Sequence, residues 1–281
     1  MKNFSFKNII KILLLLAFLI LVVISFFIEP NEIVVNKITI KLNHWNKKHD
    51  NLRIAIISDI HAGAPFINSK KLEKIVELSN KEKPDLILLP GDFVSHGVIG
   101  EKFVKPELVA DILSKLKSKY GIIAVLGNND WKYNGKKVDA VLENKKITVL
   151  ENNVKELLIN GKPLWIAGVA DLMERFPEID TTLSKVKDNS PVLLLSHNPD
   201  VFPFVPERVS LTISGHTHGG QVNLPVFGRL VVPSGFGQRY AFGHVHENNK
   251  DLFVSTGIGT SIIPVRFKVV PEIEIITVKS K

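Results

Sequence analysis

Val209-Ser210-Leu211-Thr212-Ile213-Ser214-Gly215-His216-Thr217-His218-Gly219-Gly220 runs from an apolar segment into two imidazoles two residues apart. If the apolar part is a strand, positions i and i+2 point to one side, and His216 and His218 converge on one point. The flanking glycines let the backbone turn tightly and approach a ligand closely. A single His-x-His is common without a metal, so its weight comes from the rest of the chain.

Working outward, the same punctuation recurs. Leu52 to Ile57 is a short buried-strand run ending at Ser58-Asp59-Ile60-His61. A helix follows, capped by Asn68 or Ser69, with Leu72, Ile75, Val76 and Leu78 as its apolar stripe. Asp85 to Leu89 ends at Pro90-Gly91-Asp92, and Pro106 opens a second helix. Ile122 to Leu126 ends at Gly127-Asn128-Asn129-Asp130, and Val192 to Leu195 at Ser196-His197-Asn198. Val154 to Ile159 and Leu164 to Ala167 flank Asn160-Gly161, a hairpin signal. Further strands are expected at Leu252 to Ser255 and Glu272 to Val278.

Asp59, His61, Asp92, Asn128, His197, His216 and His218 therefore all stand at the carboxyl ends of apolar strands. In an open α/β sheet those ends share one rim, where ligands bind. Each alone has a dull explanation, since Asp and Asn are ordinary turn residues. Seven donors at five successive strand ends are hard to obtain by accident.

The donor set is carboxylate, amide oxygen and imidazole, which suits Mn, Fe or Zn and disfavours copper(I) and iron–sulfur sites. Seven ligands exceed the need of one catalytic ion, which must keep a position open. Two divalent ions sharing a carboxylate fit the count. Such a pair, about 3.5–4 Å apart, binds a bridging hydroxide and clamps a phosphoryl group for in-line displacement.

The 281 residues are 45% hydrophobic and include no cysteine, so disulfides, thiolate metal sites and cysteine nucleophiles are excluded. Net charge is +8, which favours an anionic partner such as a phosphorylated substrate or a lipid headgroup surface. Ile12 to Ile28 is a run of 17 uncharged, mostly aliphatic residues behind Lys2, Lys7 and Lys11. It spans about 25 Å as a helix, near the lower limit for crossing a bilayer. It ends without a small-x-small cleavage site, which favours an uncleaved anchor over a signal peptide. Glu29 and Glu32 follow, so positive-inside logic leaves the amino terminus cytoplasmic and the domain on the outer face of the inner membrane. Lys37, Lys41, Lys47 and Lys48 narrow that bias. The expected organisation is an anchor (1–30), an edge segment and linker (31–51) and one catalytic domain (52–281).

The series Asp59-x-His61, Gly91-Asp92, Gly127-Asn128, His197 and Gly215-His216-Thr217-His218 resembles the calcineurin-like metallophosphoesterase superfamily. The resemblance implies an α/β (α+β) fold, a four-layer αββα sandwich of two sheets between helices, here preceded by one transmembrane helix. It also implies that Asp59, His61, Asp92 and His218 hold one ion. Asp92, Asn128, His197 and His216 would hold the other, with Asp92 bridging. Gly215 to Gln221 and the tail Gly257 to Ser261 with Ile263-Pro264-Val265-Arg266-Phe267 look like the membrane-anchored bacterial branch. Some members of that branch cleave the pyrophosphate of UDP-2,3-diacylglucosamine, a lipid-linked substrate.

One position departs from the pattern. Family members usually read Gly-Asn-His-Asp/Glu, and here Asn129 stands before Asp130 as the catalytic pair. An amide donates a hydrogen bond but delivers no proton near neutral pH. Losing a general acid costs about 10²–10⁴-fold when the leaving group needs protonation, so the expectation is a bias toward anhydrides and aryl esters. Competing readings are a nuclease or cyclic-nucleotide phosphodiesterase, and a catalytically impaired metal-binding scaffold. The anchor and the lack of an aromatic-rich basic patch count against nucleic acid. His244-Val245-His246 mimics a ligand pair but lacks a preceding buried strand, and reads as an exposed hairpin.

Overall fold

The computed structural model describes residues 6–281, so Lys2, expected to flank the anchor, lies outside the described residues. In chain order the elements are α1 (Phe6–Val23), β1 (Val34–Leu42), β2 (Leu52–Ile56), α2 (Ser69–Lys81), β3 (Leu86–Leu89), α3 (Pro106–Leu113), β4 (Ile122–Ala124), α4 (Asn128–Asn144) and β5 (Thr148–Val149). They continue as β6 (Asn153–Ile159), β7 (Lys162–Gly168), α5 (Ile179–Ser184), β8 (Val192–Leu195), β9 (Leu211–Ser214), β10 (Gly243–Glu247), β11 (Lys250–Val254) and β12 (Glu272–Ser280).

Two six-stranded sheets form, in the orders β1-β12-β2-β3-β4-β5 and β10-β11-β9-β8-β7-β6. Period-two side-chain alternation explains why they stack. Ile54, Ile56, Leu86 and Leu88 face inward and meet Ile166, Leu193, Leu195 and Ile213 of the other sheet. The alternate residues Ala55, Ile87 and Leu89 face outward, onto Leu72 and Ile75 of α2 and Val109 and Ile112 of α3. On the far side, Trp165, Val192 and Leu194 are covered by Leu183 of α5 and by Val201 and Val205. The fold is the expected four-layer α/β sandwich. Each fully buried aliphatic here contributes about 1.5–3 kcal/mol.

Local signals set the boundaries. Asn68 caps α2 by accepting from Lys71 N–H at 3.0 Å, and Pro106 occupies the first turn of α3. Asn160 and Gly161 hold φ of 50° and 74°, the left-handed pair that a two-residue hairpin needs. β2 to β5 run parallel, and so do β7, β8, β9 and β11. The carboxyl ends of β2, β3, β4, β8 and β9 thus gather at one rim.

The apolar helix extends further than the uncharged run. Phe6 to Asn31, 26 residues, is the one helix among the described residues long and apolar enough to cross a membrane. The chain then enters the first sheet at a defined end. Val34 pairs with Glu272, and Glu274 pairs with Ile56, so the helix joins the domain beside the carboxyl end of β2.

Glu274 is buried in β12 and accepts from Ser255 Oγ at 2.9 Å and Thr256 N–H at 3.3 Å. Burial pushes its carboxyl from the usual 4.5 up to about 8. A raised carboxyl pKa means the folded chain holds a proton that the unfolded chain releases. Stability is therefore full below pH ~4.5 and falls as pH climbs toward about 8, by on the order of a few kcal/mol. Glu274→Gln is expected to flatten that slope. Urea unfolding at pH 5 and pH 8 checks it: the wild type should lose more stability between the two than the variant does.

Candidate active site

Each expected ligand sits where its strand stops. Asp59 and His61 follow β2, Asp92 follows β3, Asn128 opens α4 just after β4, His197 follows β8, and His216 and His218 follow β9. All seven are buried. Asp59, His61, Asp92, His216 and His218 hold left-handed backbone, with φ between 47° and 70°. Asp and His tolerate that region better than most residues, at a cost of about 1–2 kcal/mol each, and such strain concentrates at functional sites. Backbone bonds tie the strand ends together: Asp59 N–H donates to Gly91 O at 3.0 Å and His61 N–H to Asp92 O at 2.9 Å.

The donor atoms face one another. His61 Nε2 lies 3.1 Å from His218 Nε2, and His216 Nδ1 lies 3.1 Å from His197 Nε2. Asp92 Oδ2 stands between the two pairs, 3.4 Å from His61 Nε2 and 3.3 Å from His197 Nε2. Asn128 Oδ1 is 3.2 Å from His197 Nε2, and Asp59 Oδ1 is 3.6 Å from His218 Nε2. Ligands about 2.0–2.2 Å from a shared ion stand roughly 3.0–3.6 Å from each other, so these spacings fit metal coordination. Asp59, His61 and His218 form one potential metal cluster, and Asp59, Asp92 and His197 another.

Contacts behind the imidazoles fix their tautomers. His197 Nδ1 is 2.8 Å from Pro90 O, so that nitrogen carries the proton and Nε2 is left to ligate. Burial holds His61 and His218 below the ordinary imidazole range, and burial together with His197 takes His216 down to about 3. These three rings are neutral, as metal ligands must be. Burial opposes charge on Asp92 as well, but His197, His61 and Asn129 hold its carboxyl well below the usual range. Burial also opposes charge on His197, yet Asp92 and Asp59 carry it up to about 10. A divalent ion would take over that counter-charge and release the proton.

A family model described as calcineurin-like phosphoesterase matches residues 52–220, more than half of the chain. The chain belongs to that family. This phosphoesterase is 31% identical over 257 residues to the uncharacterized metallophosphoesterase YkuE of Bacillus subtilis, covering 90% of this chain and 88% of that protein. It is 32% identical over 238 residues to an uncharacterized metallophosphoesterase of Helicobacter pylori strain 26695, covering 82% of this chain and 60% of the other. A transmembrane protein with metallophosphoesterase domain from Danio rerio is 27% identical over 292 residues, covering 98% and 63%. Among solved structures, the NAD nucleotidase of Haemophilus influenzae superposes with a TM-score of 0.50 at 17% identity, covering 74% of this chain and 45% of that one. That last likeness is one of fold alone.

Asn129 and Asp130, expected as the catalytic pair, are both turned onto the frame that holds Asp92. Asn129 donates from its backbone N–H to Asp92 Oδ1 at 2.8 Å and from Nδ2 to Asp92 Oδ2 at 2.6 Å. Asp130 is fully buried, and its carboxylate accepts four backbone N–H groups, from Asp92, Phe93, Val94 and Gly127, at 2.8–3.1 Å. Burial and the Asp92 charge push Asp130 up to about 7, against the N–H groups that favour its ionised form. Of the other histidines, His244 and His246 share Asp251 Oδ1 at 2.8 and 2.9 Å on the β10–β11 hairpin. His96 is exposed.

Gly215 shows how closely the rim is packed. A Cβ there would meet Ser58 Oγ at 1.9 Å and Asp59 Oδ2 at 2.3 Å. Gly215→Ala is expected to cost about 1–3 kcal/mol and to push Asp59 off its hydrogen bonds from His216 N–H. Metal content per chain, measured by plasma emission, should drop in this variant. Content equal to wild type would show that the ligands absorb the clash.

Arg266 carries a role that the sequence reading did not assign. Its guanidinium is fully buried and donates to the carbonyls of Thr256, Gly257, Gly259 and Val269. Ile258 N–H donates to Ser58 O at 3.0 Å and Gly259 N–H to Asp59 O at 2.6 Å, so Arg266 braces the loop that packs behind Ser58 and Asp59. A lone Arg in a Pro-Val-Arg-Phe tail gives no signal of such burial.

A cavity of about 360 Å³ opens beside His218 and is lined mainly by Val222, Leu230, Val231, Ile262, Ile263 and Val265. A larger polar cleft, lined by Asn43 to Asn46, Pro191 and Arg208, lies at the opposite ends of the strands, away from all seven donor residues.

Proposed function

We propose that this chain is a membrane-anchored phosphoesterase using two divalent ions (Mn, Fe or Zn) to hydrolyse a phosphodiester or pyrophosphate bond in a lipid-linked nucleotide such as UDP-2,3-diacylglucosamine. The convergence of seven metal donors from five strand ends carries the hydrolase part of this reading. Ions held there would supply Lewis acidity toward a phosphoryl oxygen and a water of lowered pKa. The protein's part is positional. Asp92 is fixed by Asn129, and the strand ends are fixed by Asp130.

The apolar cavity beside His218 supports a substrate with an acyl portion next to its phosphate. Phe6 to Asn31 supports anchoring, with Lys7 and Lys11 on the cytoplasmic side and the domain on the outer face of the inner membrane. Asn129 supports the preference among phosphates, because its backbone N–H and one Nδ2 hydrogen are held by Asp92 and an amide does not protonate a leaving group.

The full chain in detergent micelles with Mn is the material for the test. A nucleotide-sugar pyrophosphate should turn over about 10²-fold faster than a simple alkyl phosphodiester, since an alkoxide needs a proton that Asn129 does not deliver. Comparable turnover of the two would overturn the preference. Two bound ions with no turnover of mono-, di- or pyrophosphates would favour a metal-binding scaffold instead.

A further inference from the structure

We infer that the apolar rim around the active-site mouth is a second membrane contact, seated in the same bilayer that α1 crosses. The inference rests on the anchor reading of Phe6 to Asn31 and adds a surface that this reading does not require. Three observations carry it.

The anchor is joined to the rim directly. Arg266 N–H donates to Ser25 O at 2.9 Å, and Ser25 lies within the apolar helix. The segment Ser261 to Arg266 is thereby held against the part of the chain that enters the bilayer. The sheet register says the same, because the helix joins the domain beside the carboxyl end of β2, where the metal ligands gather.

The surface continuous with that segment is apolar and uncovered. Phe227, Leu230, Val231 and Ile262 are each about two-thirds or more exposed, and Val226 is fully so. Hydrogen bonds stitch the two loops that carry them: Gln221 Nε2 donates to Ser261 O and Ile263 O, and Phe267 N–H donates to Gln221 O. A contiguous apolar patch of this kind on a soluble surface marks an interaction site.

Two residues on this rim also hold backbone that their side chains disfavour. Val226 and Ile262 are β-branched yet have φ of 71° and 61°. Left-handed backbone at a β-branched residue is an outlier that calls for a reason. Presentation of both side chains outward, on the face held against the anchor, supplies one. The occupant that matches this face is the apolar layer of the membrane, since the anchor fixes the rim at its surface. The active-site mouth would then open toward lipid.

The chain has no cysteine, so single labels can be placed without background changes. Phe227→Cys, Ile263→Cys, Leu158→Cys and Leu16→Cys each replace an exposed side chain. Leu158 lies on the edge strand β6, near the end of the second sheet away from the metal ligands. The full chain carrying one environment-sensitive dye is reconstituted in vesicles whose acyl chains are brominated. Labels at 227 and 263 should lose emission several-fold more than the label at 158, from a depth of about 5–10 Å into the headgroup and acyl boundary. Quenching at 16 with 227 and 263 no different from 158 would overturn the rim contact and leave the anchor standing. No quenching at 16 would overturn the anchor and the rim together.

Discussion

Asp92→Asn is expected to lower turnover by more than about 10²-fold and to reduce the metal bound per chain. Even partners outside the ligand shell cost 10–100-fold in metal affinity or activity when mutated, and Asp92 stands between both pairs of imidazoles. The substitution removes the negative charge that His61 and His197 face. It also turns one acceptor oxygen into a donor, although Oδ1 and Oδ2 each accept from Asn129. An amide can satisfy only one of those two donors, so the variant loses charge and geometry together. Steady-state assay of the full chain with Mn, with metal content measured in parallel, checks both effects. Wild-type activity in the variant would mean that Asp92 does not bridge.

The second large effect is on folding. Asp130→Ala should destabilise the domain by several kcal/mol, because four buried N–H groups lose their acceptor and each orphan costs about 1–3 kcal/mol. Asp130→Asn should fall between. Oδ1 serves Phe93 and Val94 while Oδ2 serves Asp92 and Gly127, and the amide keeps an acceptor for one pair. Denaturant unfolding should therefore rank wild type above Asn and Asn above Ala. An alanine variant as stable as wild type would remove Asp130 from its bracing role and return it to the chemistry.

Much of this was legible in the sequence, for physical reasons. A buried parallel strand is a short apolar run, so its carboxyl end can be read from where the run stops, and five such ends marked the seven residues whose donor atoms converge in the fold. The Asn160-Gly161 hairpin was readable because few residue pairs accept two left-handed conformations. What escaped was non-local or directional. α4 was not anticipated, since Asn134 and Gly135 interrupt its pattern and Asn134 is non-helical at φ −178°, ψ 84°. β12 sits between β1 and β2 in space but follows both in the chain by more than 200 residues, and nothing in its own pattern names those neighbours. The side-chain directions of Asn129 and Asp130 were equally unreadable. Their place at the strand end after β4 was evident, but only the fold turned them onto Asp92 and its backbone.

The dinuclear reading requires two ions that share one buried set of donors. An anomalous difference map from crystals of the full chain grown with Mn tests it most directly. Two peaks about 3.5–4 Å apart are expected. One should touch Asp59, His61 and His218, the other Asn128, His197 and His216, with Asp92 reaching both. A single peak, or two peaks that do not share Asp92, would contradict it.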